Sequence, residues 1–222
     1  MTVKGRVKFD TTYAICLLPV LVFSLFWWTR PFADRLSENE CRINHLTGPQ
    51  KTNISLAAHK LNDIIIKPHE SFSFNKIVGP RTIERGFLEA PSYENGKTIM
   101  TEGGGVCLLS SLVYKSALEA GLKVTSRQPH SRIVQSVKPG FDATVMYGRY
   151  DLKFVNDTEK PITLKSTCDG SSCKVSILGT KLNSKTRLLS TMVSESQDHV
   201  LVSVYKSANN QLTLLTSDSY RK

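Results

Sequence analysis

The order of apolar and polar positions divides the chain into an apolar segment near the N-terminus, a helical middle and a strand-rich remainder. The apolar segment covers residues 11–29 and contains no charged side chain. As a helix it would extend about 28 Å, which matches the hydrocarbon core of a bilayer. Trp27 and Trp28 lie at its end, where aromatic rings favour the membrane interface, and basic residues precede it. The pattern predicts a cytoplasmic tip and a transmembrane signal anchor over residues 1–30.

Two other interpretations of this segment stay open. A cleaved signal peptide needs small residues after its apolar core, and the run Trp-Trp-Thr-Arg-Pro-Phe-Ala-Asp is a poor match for such a site. Burial as a helix of a soluble domain is the third interpretation. An anchor or a cleaved signal places the main domain outside the cytoplasm. We therefore expect a single-pass protein of the cell membrane with an extracytoplasmic domain.

The pattern takes on the 3.6-residue period of helices after a short polar stalk, which we predict at residues 31–50. Asn53 is expected to open an amphipathic helix that breaks at Pro68. A second helix is predicted from about residue 106 to residue 120, with Gly121 as its stop. The apolar stripe of the first helix consists of Ile54, Ala57, Ala58, Leu61 and Ile65.

The rest of the chain alternates with the two-residue period of strands. Residues 71–74, with the sequence Ser-Phe-Ser-Phe, form one such segment. Further strands are predicted at residues 123–127, 143–147, 152–155, 162–167 and 174–178, and a final hairpin at residues 199–205 and 211–216 around Asn209-Asn210. The predicted fold class is therefore α+β, a mostly antiparallel sheet with one or two packed helices.

Composition and charge narrow the class of protein. With 222 residues of which 40% are hydrophobic, the chain can bury one core, and it is neither a polytopic membrane protein nor a small disulfide scaffold. The formal net charge is +10, and it is still +7 without residues 1–30, which carry four basic residues and one acidic residue. The basic residues are scattered, which fits solubility or attraction to anionic envelope polymers and lipid headgroups. Without a recognisable binding motif, we expect no nucleic-acid partner.

The five cysteines have different expected roles. Cys16 falls in the apolar segment. Cys168 and Cys173 flank the turn Asp-Gly-Ser-Ser and could close a hairpin disulfide in an oxidising compartment. Cys41 and Cys107 remain, and a bond between them is an alternative that would remove Cys107 from any chemistry. No cysteine or histidine spacing suggests zinc, and no metal or cofactor is predicted.

The candidate chemistry centres on Cys107, which follows Gly103-Gly104-Gly105-Val106 in the first turn of the second predicted helix. Unpaired amides at a helix start stabilise an anion, and a neighbouring imidazolium can bring the thiol pKa well below its ordinary value near 8.5. The glycines would let a substrate approach the backbone and would leave N–H groups for an oxyanion. The alternative is that Cys107 is a small buried hydrophobe. The candidate ligand-binding residues are Gly103, Gly104, Gly105, Ser110 and Tyr114.

A base for this thiol is available in His130, which follows a proline at the end of a predicted strand. Asp142 opens the next predicted strand and Asp151 a later one. The order suits a relay in which the histidine pairs with the thiolate and Asp142, or alternatively Asp151, orients the ring. The alternatives are that His130 is a surface residue and that Asp142 caps a turn. The candidate catalytic residues are Cys107, His130 and Asp142.

At these residues the sequence resembles the VanW family over about residues 50–180. The shared motifs include Ser71-Phe72-Ser73-Phe74-Asn75, Val78-Gly79-Pro80-Arg81-Thr82, Gly103-Gly104-Gly105-Val106-Cys107, His130-Ser131 and Pro139-Gly140 with Asp142-Ala143-Thr144-Val145. Two departures stand out. The family usually has glutamine where this chain has Leu108, which weakens a catalytic interpretation, and Pro68-His69-Glu70 replaces a Pro-Gly-Glu turn.

The resemblance implies a bacterial cell-envelope protein associated with glycopeptide (vancomycin) resistance, and it names no reaction. It divides the chain into a VanW-like domain at residues 51–180 and a C-terminal β-hairpin extension at residues 181–222. One hypothesis is a non-catalytic domain that binds peptidoglycan through the glycine-lined groove. Another is a Cys-His-Asp hydrolase or acyltransferase acting on peptidoglycan peptides, and an assembly role is the third. The expected partners are peptidoglycan or anionic envelope polymers, and the membrane through the N-terminal helix.

Overall fold

The computed structural model describes residues 32–94, 96–180, 187–208 and 211–222. The predicted transmembrane anchor lies outside these ranges, and so does the turn Asn209-Asn210. Among the described residues, no helix combines the length and the apolar character needed to span a membrane.

The fold is α+β with mostly antiparallel sheets, as the sequence pattern predicts. Its helices are α1 (Gly48–Leu61), α2 (Phe74–Val78) and α3 (Val106–Glu119), with a 3-10 turn at Ile83–Arg85. The strands are β1 (Asp34–Arg42), β2 (Ile64–Ile66), β3 (Ser71–Ser73), β4 (Glu89–Glu94), β5 (Lys97–Glu102), β6 (Lys123–Ser126), β7 (Lys153–Val155), β8 (Ile162–Cys168), β9 (Ser172–Gly179), β10 (Arg187–Glu195), β11 (His199–Ala208) and β12 (Gln211–Arg221).

A four-stranded antiparallel sheet in the order β1-β9-β8-β2 supports both long helices. Helix α1 packs against β8, and α3 packs against β1 and β9. The core between these layers is aliphatic and aromatic and continues under a second sheet, β3-β7-β6, where the rings of Phe72 and Phe154 stack with centroids 4.4 Å apart. The side chains with no exposed area include Ile54, Leu61, Leu109, Val113, Phe154 and Leu164.

The segment at residues 31–50 is not a stalk, as the sequence suggested, because β1 pairs with β9 along its length. Its polar side chains mislead because two of them are buried against α3. Ser37 Oγ donates to the Ser116 carbonyl at 2.8 Å, and Asn39 Nδ2 donates to Ser116 Oγ at 3.1 Å and to Glu119 at 2.7 Å. Buried polar groups are tolerated when they are hydrogen-bonded, so a polar strand can join the core.

Helix α1 begins five residues earlier than predicted. Thr47 caps it in a capping box with Gln50, so the prediction that Asn53 opens the helix is wrong. Asn53 is fully buried inside α1, where its amide donates to the carbonyls of Leu88 and Gly104 at 2.9 and 3.1 Å. Its Oδ1 also accepts from the Leu88 amide at 2.7 Å. Asn53 therefore ties the glycine loop to the core.

Residues 143–147 do not form the predicted strand and make only isolated β-bridges, Gln128 with Thr144 and Met146 with Tyr150. The backbone of Ala143 bonds instead to side chains of α3. Ser111 Oγ accepts from its amide at 2.9 Å, and Ser110 Oγ donates to its carbonyl at 2.5 Å. This irregular segment is thereby fixed directly over the start of α3.

The C-terminal region forms a three-stranded antiparallel sheet, β10-β11-β12. The predicted final hairpin corresponds to β11 and β12, but β12 is longer than predicted and runs to Arg221, whose amide donates to the Ser131 carbonyl at 2.9 Å. A disulfide joins Cys168 on β8 to Cys173 on β9, as their spacing allows, and among the described residues neither Cys41 nor Cys107 has a disulfide partner. The end of β12 therefore lies beside the segment that carries His130.

Candidate functional site

A cleft of about 670 Å³ opens beside the N-terminus of α3. Its walls come from the β4–β5 hairpin, the glycine loop, residues 128–135 and residues 144–150. Cys107 and His130 both face it. The cleft therefore brings the candidate nucleophile and the candidate base to one solvent-accessible surface.

Cys107 lies in the first turn of α3 and is partly exposed. Its Sγ is 3.7 Å from the Val145 carbonyl oxygen, and the His130 side chain lies close enough for its hydrogen bonding and its charge to lower the thiol pKa. Because His130 Nδ1 faces Asp142, the Nε2 atom is the ring nitrogen left for the sulfur. Helix α3 begins where the pattern predicts, so the thiol is at a helix N-terminus, where amide dipoles favour an anion.

Asp142 holds His130 at two atoms. Its Oδ2 lies 2.8 Å from Nδ1 of the ring and accepts from the His130 backbone amide at 2.6 Å. The Asp142 side chain is only 1% exposed and that of His130 is 12% exposed. The contact to Nδ1 fixes the ring orientation, and the contact to the backbone fixes the loop position. The structure thus brings Cys107, His130 and Asp142 together in one chain of contacts.

The Asp142 carboxylate also accepts hydrogen bonds from residues to which no sequence motif points. Arg127 Nη2 lies 3.0 Å from its Oδ1, and the Tyr220 hydroxyl donates to the same oxygen at 2.5 Å. The other end of the Arg127 guanidinium contacts both oxygens of Asp218 at 2.6 Å. Tyr220 Oη also accepts from the Gly140 amide at 2.8 Å. The buried network contains two carboxylates and one guanidinium in addition to the imidazole.

This network shifts the pKa values of Asp142, His130 and Cys107. Burial alone would raise the pKa of Asp142, but the hydrogen bond from His130 and the charge of Arg127 lower it to about 2. Burial would lower the pKa of His130, but the bonds to Asp142 and Cys107 raise it to about 9. For Cys107, burial raises the pKa and is outweighed by the hydrogen bond and charge of His130, so the pKa lies below its ordinary value. Both shifts favour a thiolate–imidazolium pair over a neutral thiol beside a neutral imidazole.

The three glycines before Cys107 have packing roles that the sequence did not show. A Cβ on Gly104 would lie 2.2 Å from the Ala90 carbonyl oxygen, and one on Gly103 would lie 2.5 Å from Arg81 Cβ. The amides of Gly103 and Gly104 donate to the carbonyls of Leu88 and Thr101. They are therefore not free for an oxyanion, contrary to the prediction. Gly103 and Gly105 still line the cleft, whereas Gly104 does not.

The amide of Cys107 is the better placed donor. It lies in the first turn of α3, and within the described ranges no backbone or side-chain acceptor bonds to it. This N–H group is therefore the candidate donor to the oxyanion of a bound substrate.

Two predicted ligand-binding residues are instead buried in the helix packing. Ser110 has no exposed area and donates to the carbonyls of Ala143 and Cys107. Tyr114 is 2% exposed, the Arg127 guanidinium lies 4.8 Å from its ring centroid, and burial raises its pKa to about 12. Neither lines the cleft, because Ser110 bonds to the backbone of Ala143 and Tyr114 packs against Arg127.

Asp151, the alternative partner for His130, has a different role. Its two oxygens accept from the Ser73 hydroxyl at 2.7 Å and from the Asn75 amide at 2.9 Å, so it stabilises the start of α2. In the part of the chain that the structure describes, no cluster of three or more histidine, cysteine, aspartate or glutamate side chains is arranged to hold a metal ion.

Sequence signals for the missed residues were weak. Asp218 and Tyr220 are two residues apart on β12, so they share one face of the strand, and both are buried. A charged and an aromatic residue on one strand face hint at a buried polar site, but nothing in the sequence links that face to Arg127, 91 residues away from Asp218. Arg81 also lines the cleft, but in the sequence it stands out only as part of the motif Val-Gly-Pro-Arg-Thr.

Comparison with known proteins places these motifs in a family. The family model described as VanW like protein matches residues 49–178. A Bacillus subtilis protein named "Uncharacterized protein YoaR" is 37% identical over 155 residues, covering 69% of this chain and 51% of that protein. An Enterococcus faecalis protein named "Vancomycin B-type resistance protein VanW" is 32% identical over 148 residues, covering 60% of this chain and 54% of that protein.

This chain spans about half the length of these two relatives. No solved structure gives a significant match. The family match covers more than half of the chain and contains the whole segment from the glycine loop to Asp142. The chain therefore belongs to the VanW family.

Proposed function

We propose that this protein is a cysteine-dependent enzyme of the cell envelope. It transfers the acyl group of an amide substrate to an acceptor amine, or it hydrolyses the amide bond. The observation that carries the proposal is the chain of contacts from the Cys107 thiol through the His130 ring to the buried Asp142 carboxylate, at the wall of an open cleft. A nucleophile, a base and a group that orients the base are the parts that acyl transfer requires.

In the first half of the reaction the Cys107 thiolate attacks the carbonyl carbon of the amide. A C–S bond forms, and the C=O electron pair moves to oxygen, where the Cys107 amide can donate a hydrogen bond. When the carbonyl re-forms, the C–N bond breaks and His130 Nε2 gives its proton to the leaving amine. The products of this half are a thioester on Cys107, a free amine and a neutral imidazole.

In the second half, water or an acceptor amine attacks the thioester carbonyl while His130 Nε2 takes its proton. The C–S bond breaks, the acid or the new amide leaves, and the thiolate–imidazolium pair is restored. Asp142 stays ionised throughout, because the Arg127 charge and its hydrogen bonds lower its pKa to about 2. Its part is to orient the ring and to stabilise the imidazolium.

The proposed substrate is a peptide portion of peptidoglycan, and the proposed location is the outer side of the cell membrane. Three observations support this setting. A relative is named as a vancomycin B-type resistance protein, the Cys168–Cys173 disulfide suits an oxidising compartment, and the net charge of +7 that the chain carries without residues 1–30 suits anionic envelope polymers. The apolar segment at residues 11–29 would hold the domain at the membrane.

A second candidate function is ligand binding in the same cleft without chemistry. Leu108 favours it, because this side chain is 7% exposed, packs in the core and offers no polar group to an oxyanion. Under this alternative the full-length protein would still bind purified cell wall when Cys107 is changed to serine, and its thiol would show ordinary reactivity.

Alkylation by iodoacetamide distinguishes the two functions. At about pH 6 we expect Cys107 of the full-length protein to react faster than an ordinary thiol, because the hydrogen bond and charge of His130 lower its pKa. The variant His130→Ala should react at least about tenfold more slowly at that pH, since the thiol pKa returns toward about 8.5. Rates are measured by mass spectrometry of the peptide that contains Cys107.

The measurement has two controls in the same chain. Cys41 is an internal reference, because burial raises its pKa to about 11 and it should stay unreactive at this pH. His199 is an exposed histidine of β11 away from the cleft, so His199→Ala should leave the Cys107 rate unchanged. A Cys107 rate that follows the pH profile of an ordinary thiol in the wild type would contradict the catalytic proposal and favour binding.

A further inference from the structure

The cleft contains a second charged group that the proposed reaction does not use. Arg81 lines the same cleft as Cys107 and is only 9% exposed. Its Nη1 makes one long hydrogen bond, 3.4 Å, to the Gly79 carbonyl, and its guanidinium lies 5.6 Å from the Phe74 ring centroid. Its Nη2 is buried and has no hydrogen-bond partner among the described residues.

A buried guanidinium with a free nitrogen is a costly arrangement. Arginine stays protonated in proteins, and a buried charge is normally paired. No ion pair of the described residues includes Arg81. The negative charges that act on it are first that of the Cys107 thiolate and then that of Asp151, which already accepts from Ser73 and Asn75. The Asp142 carboxylate is likewise occupied by Arg127 and His130. The described part of the chain thus leaves the Arg81 Nη2 donor without an acceptor.

The position of Arg81 is fixed by the loop that carries the nucleophile. A Cβ on Gly103 would lie 2.5 Å from Arg81 Cβ and 2.8 Å from its Cγ, so the stem of this side chain packs directly on the glycine loop. Gly103 has a φ of +75°, which an alanine would adopt only with strain. The guanidinium is therefore held against the loop that ends at Cys107, four residues further on.

We propose that Arg81 binds a carboxylate of the substrate, so that the cleft selects acyl compounds with a carboxylate near the bond that Cys107 attacks. This inference rests on the proposed function of Cys107 and names its substrate class. A planar guanidinium matches a carboxylate in geometry, and its hydrogen bonds to anions are charge-assisted. One unpaired positive charge favours a monoanionic carboxylate over a phosphate monoester, whose charge is close to −2 near neutral pH.

Two alkylating reagents that differ only in this group provide the test. Iodoacetate and iodoacetamide both form an S–C bond with the thiolate and release iodide, but only iodoacetate has a carboxylate. Because both reagents react with the thiolate, the ratio of their rates at Cys107 does not depend on the fraction of the thiol that is ionised. We expect this ratio to exceed that of a small free thiol by at least about tenfold, the effect of a charge-assisted hydrogen bond. In Arg81→Gln it should fall most of the way to the free-thiol value.

The matched control is Arg149→Gln. Arg149 is an exposed arginine that lines the same cleft and lies over the Tyr150 ring, so its loss changes the net charge equally without touching the buried donor. This variant should keep the wild-type ratio. A second measurement needs no variant and therefore holds even if Arg81→Gln does not fold. Acetate should protect wild-type Cys107 from iodoacetamide in a saturable way, and acetamide should not.

The outcomes separate this inference from the proposed function. Rapid alkylation by iodoacetamide at low pH with no preference for iodoacetate, or with a preference that Arg81→Gln leaves intact, would overturn the carboxylate site and leave the nucleophile standing. If Arg149→Gln lost the preference for iodoacetate to the same extent, the preference would come from the general positive charge of the cleft. That result would also overturn the carboxylate site. A Cys107 that resists both reagents would overturn the proposed function and this inference together.

Discussion

Replacing Asp142 with asparagine is expected to lower the free energy of unfolding by about 3 kcal/mol or more and to abolish the low pKa of Cys107. Removing one partner of a buried ion pair typically costs about 3–5 kcal/mol, because the other charge stays buried without compensation. Asp142 is the shared partner of Arg127 and His130 and is only 1% exposed. Urea unfolding measures the first effect, and the rate of iodoacetamide alkylation at about pH 6 measures the second.

Asp218→Asn is the matched control for this substitution. Asp218 is 6% exposed and contacts the same Arg127 guanidinium, but it has no contact with His130. We expect it to lower the free energy of unfolding by a similar amount and to leave the Cys107 alkylation rate near the wild-type value. Should both variants lose the rapid alkylation equally, Asp142 would be a stabilising residue only, and its role in orienting His130 would be contradicted.

Gly104→Ala is expected to destabilise the protein by about 2–3 kcal/mol and to slow alkylation of Cys107. The added Cβ would lie 2.2 Å from the carbonyl oxygen of Ala90 and 2.8 Å from that of Pro91. Both atoms belong to the backbone of β4, so neither can rotate away, and the loop or the strand must move. Overpacking of this kind costs about 1–3 kcal/mol and occasionally more. Urea unfolding and the alkylation rate provide the measurements.

Gly48→Ala provides the comparison, because a Cβ at Gly48 meets no atom within 4 Å. Its position in the first turn of α1 suits alanine, so we expect a change in the free energy of unfolding within about 0.5 kcal/mol. If Gly104→Ala is as harmless as Gly48→Ala, the close packing of the glycine loop on β4 is not what fixes Cys107.

The position of the nucleophile could be predicted from local sequence. Three glycines followed by a 3.6-residue apolar period set the start of α3 at Val106, and the chain order of Cys107, His130 and Asp142 suggested their use together. Each of these signals depends on a few adjacent residues. Local patterns of this kind are the part of a fold that sequence reasoning reads best.

The predictions of the fold that are wrong concern polar residues whose hydrogen-bond partners lie far away in the sequence. The polar residues Ser37 and Asn39 suggest a stalk where the structure has strand β1, because their acceptors on α3 lie 77 to 80 residues further along the chain. Asparagine favours the N-cap of a helix, so the sequence predicts that Asn53 opens α1. Its side chain bonds instead to the backbone carbonyls of Leu88 and Gly104. Tertiary hydrogen bonds overrode the local preference in both cases.

The support of the site could not be predicted for the same reason. Tyr220 and Asp218 come from β12, in the C-terminal region that lies beyond the family match, and they meet Asp142 and Arg127 only after the chain has folded. The role proposed for the buried Arg81 could not be predicted either, because it depends on a nitrogen that has no hydrogen-bond partner among the described residues. Sequence patterns show which residues are present, but they do not show which donors remain unsatisfied.

The most direct test of the central claim is the titration of the Cys107 thiol by ultraviolet thiolate absorbance, taken as the difference between the wild type and Cys107→Ser. The difference removes the other cysteines, and Cys41, with its pKa raised to about 11, stays protonated in the relevant range. We predict that the thiolate signal develops at a lower pH than that of an ordinary thiol, which is only a few per cent ionised at about pH 7. A signal that develops around pH 8.5 or above would contradict the thiolate–imidazolium pair.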